Sequence, residues 1–514
     1  MVANPKILTG RLGSISIRQW LKHWFFASEG TLTDRTLRAT VWITIGKGLA
    51  RSLDFGKVVV LTHLLTPADF GLLGVVLFAV MCLETFTETG FDQALVQRRG
   101  DIKEHLNAAW VVQILRGMGL GLLSYLSAPL VASFFGDPRI KPIMGMISLM
   151  ILLRGFSNPA AIYLTRSLDF RRVFFWNLYV ELTGAAVAIS LAFFYRNVWA
   201  LVISVIAAQL VKTILSYRIV PERPSFKLDW SKTRELTRFG RWVLGSNIII
   251  FLLINGDDAW VGKLLGATTL GLYQLAYRIS ILPATEISSI VSSVTLPAYA
   301  AIQNDRQTVW GVYLRVLKLT ALVSIPLGTL IAFTVEDLVG AIMGHRWIAV
   351  APLVQVLCCY GIIRSINSPS GSLYPALGRP EITTRVSGVQ LAILAILIYP
   401  FTLWWGVRGV AFAIAIACGI CFLLASWEVT RLIDERQTVR FLAKIFSCLV
   451  PGTTCALILA GALLILQKIL PAEWPAFYRL MADGALAVIL ASGISWYVYR
   501  YRSWFTYRTE RALL

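Results

Sequence analysis

The stretch MILLRGFSNPAAIY, residues 150–163, sets Arg154 inside an apolar run, five residues before Pro159. The stretch YGIIRSINSPSGSLY, residues 360–374, repeats the arrangement with Arg364 and Pro369. An arginine at mid-membrane depth costs about 3 kcal/mol on insertion scales, so it faces a partner or a wet cavity. Two such arginines in matching contexts, at an offset of 210, point to a chain built from two copies of one unit. A second alignment agrees: LLTPADFGLLGV (64–75) lies over LLGATTLGLYQL (264–275) at an offset of 200, pairing Gly71 with Gly271.

The surroundings of both copies are apolar. The chain has 514 residues, of which 57% are hydrophobic and 15% charged, with a mean hydropathy of +0.68. Water cannot solvate such a surface, which sets the class as membrane protein. At ~20 apolar residues per crossing, the chain is predicted to be an all-α polytopic protein with about 14 transmembrane helices between residues 39 and 500. The first six fill an N-lobe (39–219) and resemble the next six in a C-lobe (239–430). An even number of crossings per copy keeps both lobes in one orientation, related by an axis along the membrane normal. Two further helices (443–500) fall outside the repeat. Residues 1–38 form a cytoplasmic segment in which Ile17, Trp20, Leu21, Trp24 and Phe25 share one helical face, as in a helix lying on the membrane surface. A basic linker (220–238), a loop (431–442) and a tail (501–514) complete the cytoplasmic side.

The net charge of +20 reflects loops rather than a nucleic-acid footprint. With the N-terminus inside, 32 basic residues fall in cytoplasmic segments against 8 outside. Both termini are therefore placed in the cytoplasm, with the cations facing anionic lipid. Seven cysteines lie mostly in apolar spans without a CxxC pair in a loop, and four histidines are scattered. No disulfide framework and no metal are expected. GKGLARS and DFGKVVV lack P-loop spacing, so ATP hydrolysis is not built in, no cofactor is expected, and the chain reads as no enzyme.

Charges inside the spans carry the functional reading. Lys47, Arg51, Asp54 and Lys57 occupy one arc of about 120° on the first helix. Glu84, Glu88 and Asp92 form a stripe on the second. Further along come Arg116, Glu181, Asp257, Asp258, Arg278 and Glu286, while Lys212 is discounted as snorkelling to an end. The expectation is a cationic, wet cavity between the lobes, lined by Arg154, Arg364, Arg51, Lys47, Arg116 and Arg278. Arg154 and Arg364 would face each other across it. Arginine's planar fork suits an anionic ligand, phosphate above all. Glu84, Glu88 and Asp92 are the expected ion-coupling group. Lys57 aligns with Asp257 at the offset of 200, and Lys57 with Asp257 or Asp258 is the expected gate. Structural ion pairs that only fix helix packing are the competing reading for each residue.

LLTPADFGLLGV, FTETGFDQALVQRRGD (86–101), RSLDFRR (166–172), LGATTLGLYQLAYRI (265–279), LPAYAAIQND (296–305) and ALGRPEI (376–382) together resemble the polysaccharide-transport family of lipid-linked oligosaccharide flippases. That family belongs to the multidrug/oligosaccharidyl-lipid/polysaccharide exporter superfamily. The resemblance runs from about residue 39 to 500. It implies a bacterial inner-membrane protein that moves undecaprenyl-pyrophosphate-linked sugar repeat units outward by alternating access, for O-antigen, capsule or exopolysaccharide synthesis. The implied partners are that lipid-linked substrate, membrane lipids, and polysaccharide polymerase and chain-length proteins. Asp92 and Gln93 depart from the family pattern, where small residues are frequent. Two rivals stand beside this reading: an ion-coupled drug or metabolite antiporter on the same fold, and a membrane polysaccharide polymerase or ligase. NGDDAW (255–260) imitates an acidic sugar-transferase motif but lies inside a span.

Overall fold

The computed structural model describes residues 32–87, 103–167, 169–226, 230–433, 438–471 and 474–500. Among these residues every regular element is a helix. In chain order they are α1 (Leu32–Leu64), α2 (Pro67–Phe86), α3 (Lys103–Phe135), α4 (Ile140–Gly155), α5 (Ile162–Arg166), α6 (Phe170–Tyr195) and α7 (Trp199–Ile219). Then follow α8 (Trp230–Ala301), α9 (Arg306–Ile342), α10 (Ala351–Ala376), α11 (Pro380–Ile433), α12 (Thr438–Ile469) and α13 (Ala476–Arg500). Short 3₁₀ turns at Pro159–Ala161 and His345–Val350 lead into α5 and α10.

Two of the long helices are pairs joined at a glycine. Gly266 (φ 83°) breaks α8 and Gly406 (φ 57°) breaks α11, in backbone conformations that cost other residues a steric clash. The repeat solves the same turn in two ways. Where the second copy has Gly266, the first has Thr66 followed by Pro67. There the Asp69 carboxylate accepts the Thr66 N–H at 2.9 Å and its hydroxyl at 2.6 Å, so that an acid and a proline start α2.

By length and composition, 8 helices among the described residues qualify as membrane spans, or 9 with the bent pair Ile140–Gly155 and Pro159–Thr165 counted as one. Apolar length alone therefore does not reach the expected fourteen. Lys47, Arg51, Asp54 and Lys57 recur along α1 and leave it no apolar stretch long enough to qualify, and the two halves of α11 count as one span despite the break at Gly406. Helix α8 begins at Trp230, inside the stretch expected as a linker over 220–238. The expected surface helix around Trp20 and the tail beyond residue 500 lie outside the described residues.

In the first lobe α3 packs on α4, α6 on α7, and α1 on α6. In the second, α10 lies against α8, α9 and α11, while α12 and α13 pack on α9. The lobes meet chiefly where α2 crosses α8. A Cβ on Gly71 would fall inside the Ala267 carbonyl oxygen, and one on Gly271 inside the Pro67 carbonyl oxygen. Small residues let the two backbones touch, as at other membrane helix crossings. These glycines are the pair matched by the repeat, so equivalent positions meet at the seam like partners across a local two-fold axis. Other contacts gather at the same end of the bundle. The fully buried Trp347 indole donates to the Thr62 carbonyl at 2.9 Å, Phe70 meets Trp347 edge-on, and the Lys263 ammonium donates to the Phe134 carbonyl.

Candidate functional site

Away from that seam, the helical period places Lys47, Arg51 and Asp54 of α1 on one face. They line a cavity of about 560 Å³ together with Ala50, with Glu181 of α6, and with Arg278, Thr285, Glu286 and Ser289 of α8. Helix α1 belongs to the first lobe and this half of α8 to the second, so the cavity lies between them. Two ion pairs cross it. Arg51 Nε lies 3.4 Å from Glu286 Oε1, with 54% and 44% of the two side chains exposed. Arg278 pairs with Asp54, whose other oxygen takes Lys57 Nζ at 3.0 Å. The charged lining is three cations (Lys47, Arg51, Arg278) and three carboxylates (Asp54, Glu181, Glu286). The cavity expected as cationic is thus charge-balanced.

Arg154 does not line this cavity. It ends α4, and the chain then bends by 63° at the Asn158–Pro159 step. A bend in a membrane helix frees carbonyls that something must satisfy. Gln113 of α3 donates to the carbonyls of Arg154, Gly155 and Ser157 at 3.1, 3.3 and 3.1 Å. From α7, the Thr213 hydroxyl donates to Leu153 O at 3.0 Å and the Tyr217 hydroxyl to Phe156 O at 2.6 Å. A Cβ on Gly117 would stand 2.6 Å from Gly155 Cα, which is why glycines occupy both positions and Gln113 can reach. The Arg154 side chain turns to α2, where Nη1 donates to both Glu84 carboxylate oxygens at 2.9 and 2.7 Å. Arg116 Nη2 donates to the Glu84 carbonyl at 2.7 Å. Lys212 stands within electrostatic reach of Arg154, Glu181 and Glu84, so it belongs to this cluster although the sequence reading discounts it.

Arg364 sits mid-way along α10, which continues unbroken through Pro369. Its Nη1 donates to the Tyr360 hydroxyl at 2.7 Å and approaches the Tyr277 hydroxyl at 3.4 Å. No carboxylate among the described residues pairs with it. Arg154 and Arg364 are each bonded within their own lobe and make no contact with one another.

The expected Lys57–Asp257 gate is not formed in this conformation. Lys57 takes Asp54, its neighbour one turn earlier. Because α8 folds back at Gly266, Tyr273 donates to Asp257 at 2.5 Å and Gln274 to Asp258 at 2.8 Å. Glu84 is bound as above, while Glu88 and Asp92 lie outside the described residues. Ala50, Asp54, Glu181, Thr285, Glu286 and Ser289 are the cavity residues that the site reading left out. Asp54, Glu181 and Glu286 are visible in the sequence as mid-span acids, and Ser289 and Thr285 by their helical spacing from Arg278. Among the described residues no cluster of three metal-ligating side chains occurs.

A family model described as "Polysaccharide biosynthesis protein" matches residues 60–352. The chain belongs to that family. The match takes in Glu84, Arg116, Arg154, Glu181, Arg278 and Glu286, and it stops short of Arg51 on one side and Arg364 on the other. Among relatives of this polysaccharide biosynthesis protein, the teichuronic acid biosynthesis protein TuaB of Bacillus subtilis is 23% identical over 80% of this chain and 86% of its own. The succinoglycan biosynthesis transport protein ExoT of Rhizobium meliloti is 24% identical over 76% of this chain and 75% of its own. In fold, the chain is similar to the lipid II flippase MurJ in an inward closed conformation. The TM-score is 0.71 at 15% identity, over 90% of this chain and all of the other.

Proposed function

We propose that this protein is a flippase that carries undecaprenyl-pyrophosphate-linked oligosaccharide repeat units across the bacterial inner membrane by alternating access, for polysaccharide assembly. The observation that carries this reading is that two guanidiniums, Arg51 and Arg278, converge from different lobes on one cavity. A diphosphate needs such forks, since each guanidinium pairs two oxygens at once. The two-lobed fold supplies the motion, with the α2–α8 seam at one end and the cavity beyond it. Hydroxyls of Thr285 and Ser289 and the carboxylate of Glu181 offer hydrogen-bond partners for sugar. Both termini face the cytoplasm in this scheme, as the loop charges require. Arg154 and Arg364 supply further phosphate contacts along the path, and Glu84 with Glu88 and Asp92 the ion coupling. The delivered units go to a polymerase and chain-length proteins on the outer face.

Depleting the protein tests this in cells. Lipid-linked repeat units accumulate on the cytoplasmic leaflet if the reading holds. Continued delivery to the outer leaflet at the normal rate overturns it. The three carboxylates of the cavity favour a second reading, export of a cationic solute. Under that reading depletion leaves the lipid-linked units untouched and makes the cells sensitive to the solute.

A further inference from the structure

The cavity holds arginines, yet its charged lining sums to zero. An anion entering a balanced site gains little from long-range attraction, because each cation is offset by a carboxylate nearby. The two guanidiniums that face the cavity are moreover engaged, Arg51 by Glu286 and Arg278 by Asp54. A diphosphate that takes their forks has to take the place of those carboxylates. The Arg51–Glu286 pair is half-exposed, so Glu286 turns into water when released, while Asp54, 20% exposed, keeps Lys57 when it gives up Arg278. Each exchange swaps one charge-assisted contact for another. Both pairs also bridge the lobes, since α1 contributes Arg51 and Asp54 while α8 contributes Glu286 and Arg278.

We infer that Glu286 and Asp54 are built-in counter-ions that the diphosphate head group displaces, so that loading replaces two direct links between the lobes. The inference rests on the flippase reading above and deepens it by assigning the carboxylates a role in selectivity and in coupling. A neutral or cationic lipid offers nothing to exchange and leaves both pairs in place. A doubly charged head group replaces both at once and becomes the bridge itself. Glu286 is the cleaner of the two, because among the described residues it pairs with Arg51 alone, whereas Asp54 also holds Lys57. The pair acts by competition, so its removal strengthens binding of the anion, which damage to the fold does not do.

The experiment uses the full chain in lipid nanodiscs with inorganic pyrophosphate as probe. Affinity is measured for wild type, Glu286→Gln, Glu286→Asp and Arg51→Ala. Spin labels placed on α1 and on the second half of α8 report the distance between lobes. Glu286→Gln is expected to bind pyrophosphate about fivefold more tightly, the size of an exposed ion pair. Glu286→Asp stays near wild type, and Arg51→Ala binds more weakly. In wild type, pyrophosphate shifts the distance between the lobes, and Glu286→Gln shows part of that shift without it. Unchanged or weaker binding in Glu286→Gln, with Arg51→Ala still impaired, overturns the displacement and leaves the cavity reading standing. Binding that is equal in wild type and Arg51→Ala overturns the cavity reading, and the displacement falls with it.

Discussion

Arg154 and Arg364 occupy the same place in the two copies of the repeat, yet the structure treats them differently. Arg154 ends a helix, lies 59% exposed and is held by a carboxylate; Arg364 sits inside a continuous helix among tyrosine hydroxyls. The neighbours explain the difference. Glu84 in the first copy corresponds to Ala284 in the second, so Arg364 has no matching acid. Tyr277 and Tyr360 correspond to Leu77 and Met150, so Arg154 has no matching hydroxyls. The seam behaves in the opposite way: Gly71 and Gly271 keep both residue type and environment. Repetition thus preserves the contact that joins the lobes, while the side chains that partner the matched arginines diverge.

The largest expected effect tests the preserved half of this comparison. Gly71→Ala and Gly271→Ala each force a methyl into a backbone carbonyl, and overpacking of this kind costs about 1–3 kcal/mol. Both variants are expected to lose export and to unfold at similarly lowered temperatures in detergent. A variant pair with very different losses breaks the two-fold account of the seam.

The divergent half comes next. Arg154→Ala leaves Glu84, 19% exposed, without its partner, at an expected cost of about 1–2 kcal/mol after allowance for solvent around the arginine. Adding Glu84→Gln is expected to restore stability to Arg154→Ala. Arg364→Ala is expected to abolish export with the protein still abundant, and Tyr360→Phe to reproduce part of that defect. If Glu84→Gln restores stability to neither arginine variant, or to both, the two sites do not differ as described. Lysine at either position is expected to restore export only in part, because a point charge replaces the fork. The smallest effect concerns the helix break. Asn158 Oδ1 accepts the Ala160 N–H at 2.9 Å, so Asn158→Ala is expected to cost about 1 kcal/mol in thermal unfolding. Its counterpart Ser368, within continuous α10, is expected to tolerate alanine without measurable loss.

Residues on one helix were legible in the sequence, and meetings between helices were not. The arc of Lys47, Arg51 and Asp54 follows from the helical period, and these residues do line one cavity. The repeat aligns Gly71 with Gly271, and only the fold shows that the two glycines meet each other. Partner identity could not be read, because Glu286 finds Arg51 through the packing of α8 beside α1. Sequence alignment at a common offset suggested instead that Lys57 meets Asp257. Equivalent positions meet only near the axis, as at Gly71, and away from it each side chain takes the nearest partner, as Lys57 does with Asp54. The charge balance of the cavity was hidden for a related reason: the cations stand out along each span, whereas Glu181 and Glu286 come to face Lys47 and Arg51 only through the packing of α6 and α8 beside α1.

The central claim is that Arg51 and Arg278, brought together from two lobes, carry a pyrophosphate-linked lipid across the membrane. The most direct measurement reconstitutes the full chain in liposomes with undecaprenyl-pyrophosphate-linked oligosaccharide and follows access of the sugar to an enzyme outside. The account predicts translocation by wild type and its loss in the Arg51→Ala, Arg278→Ala double variant, with the same amount of folded protein inserted. Translocation by the double variant at the wild-type rate contradicts it.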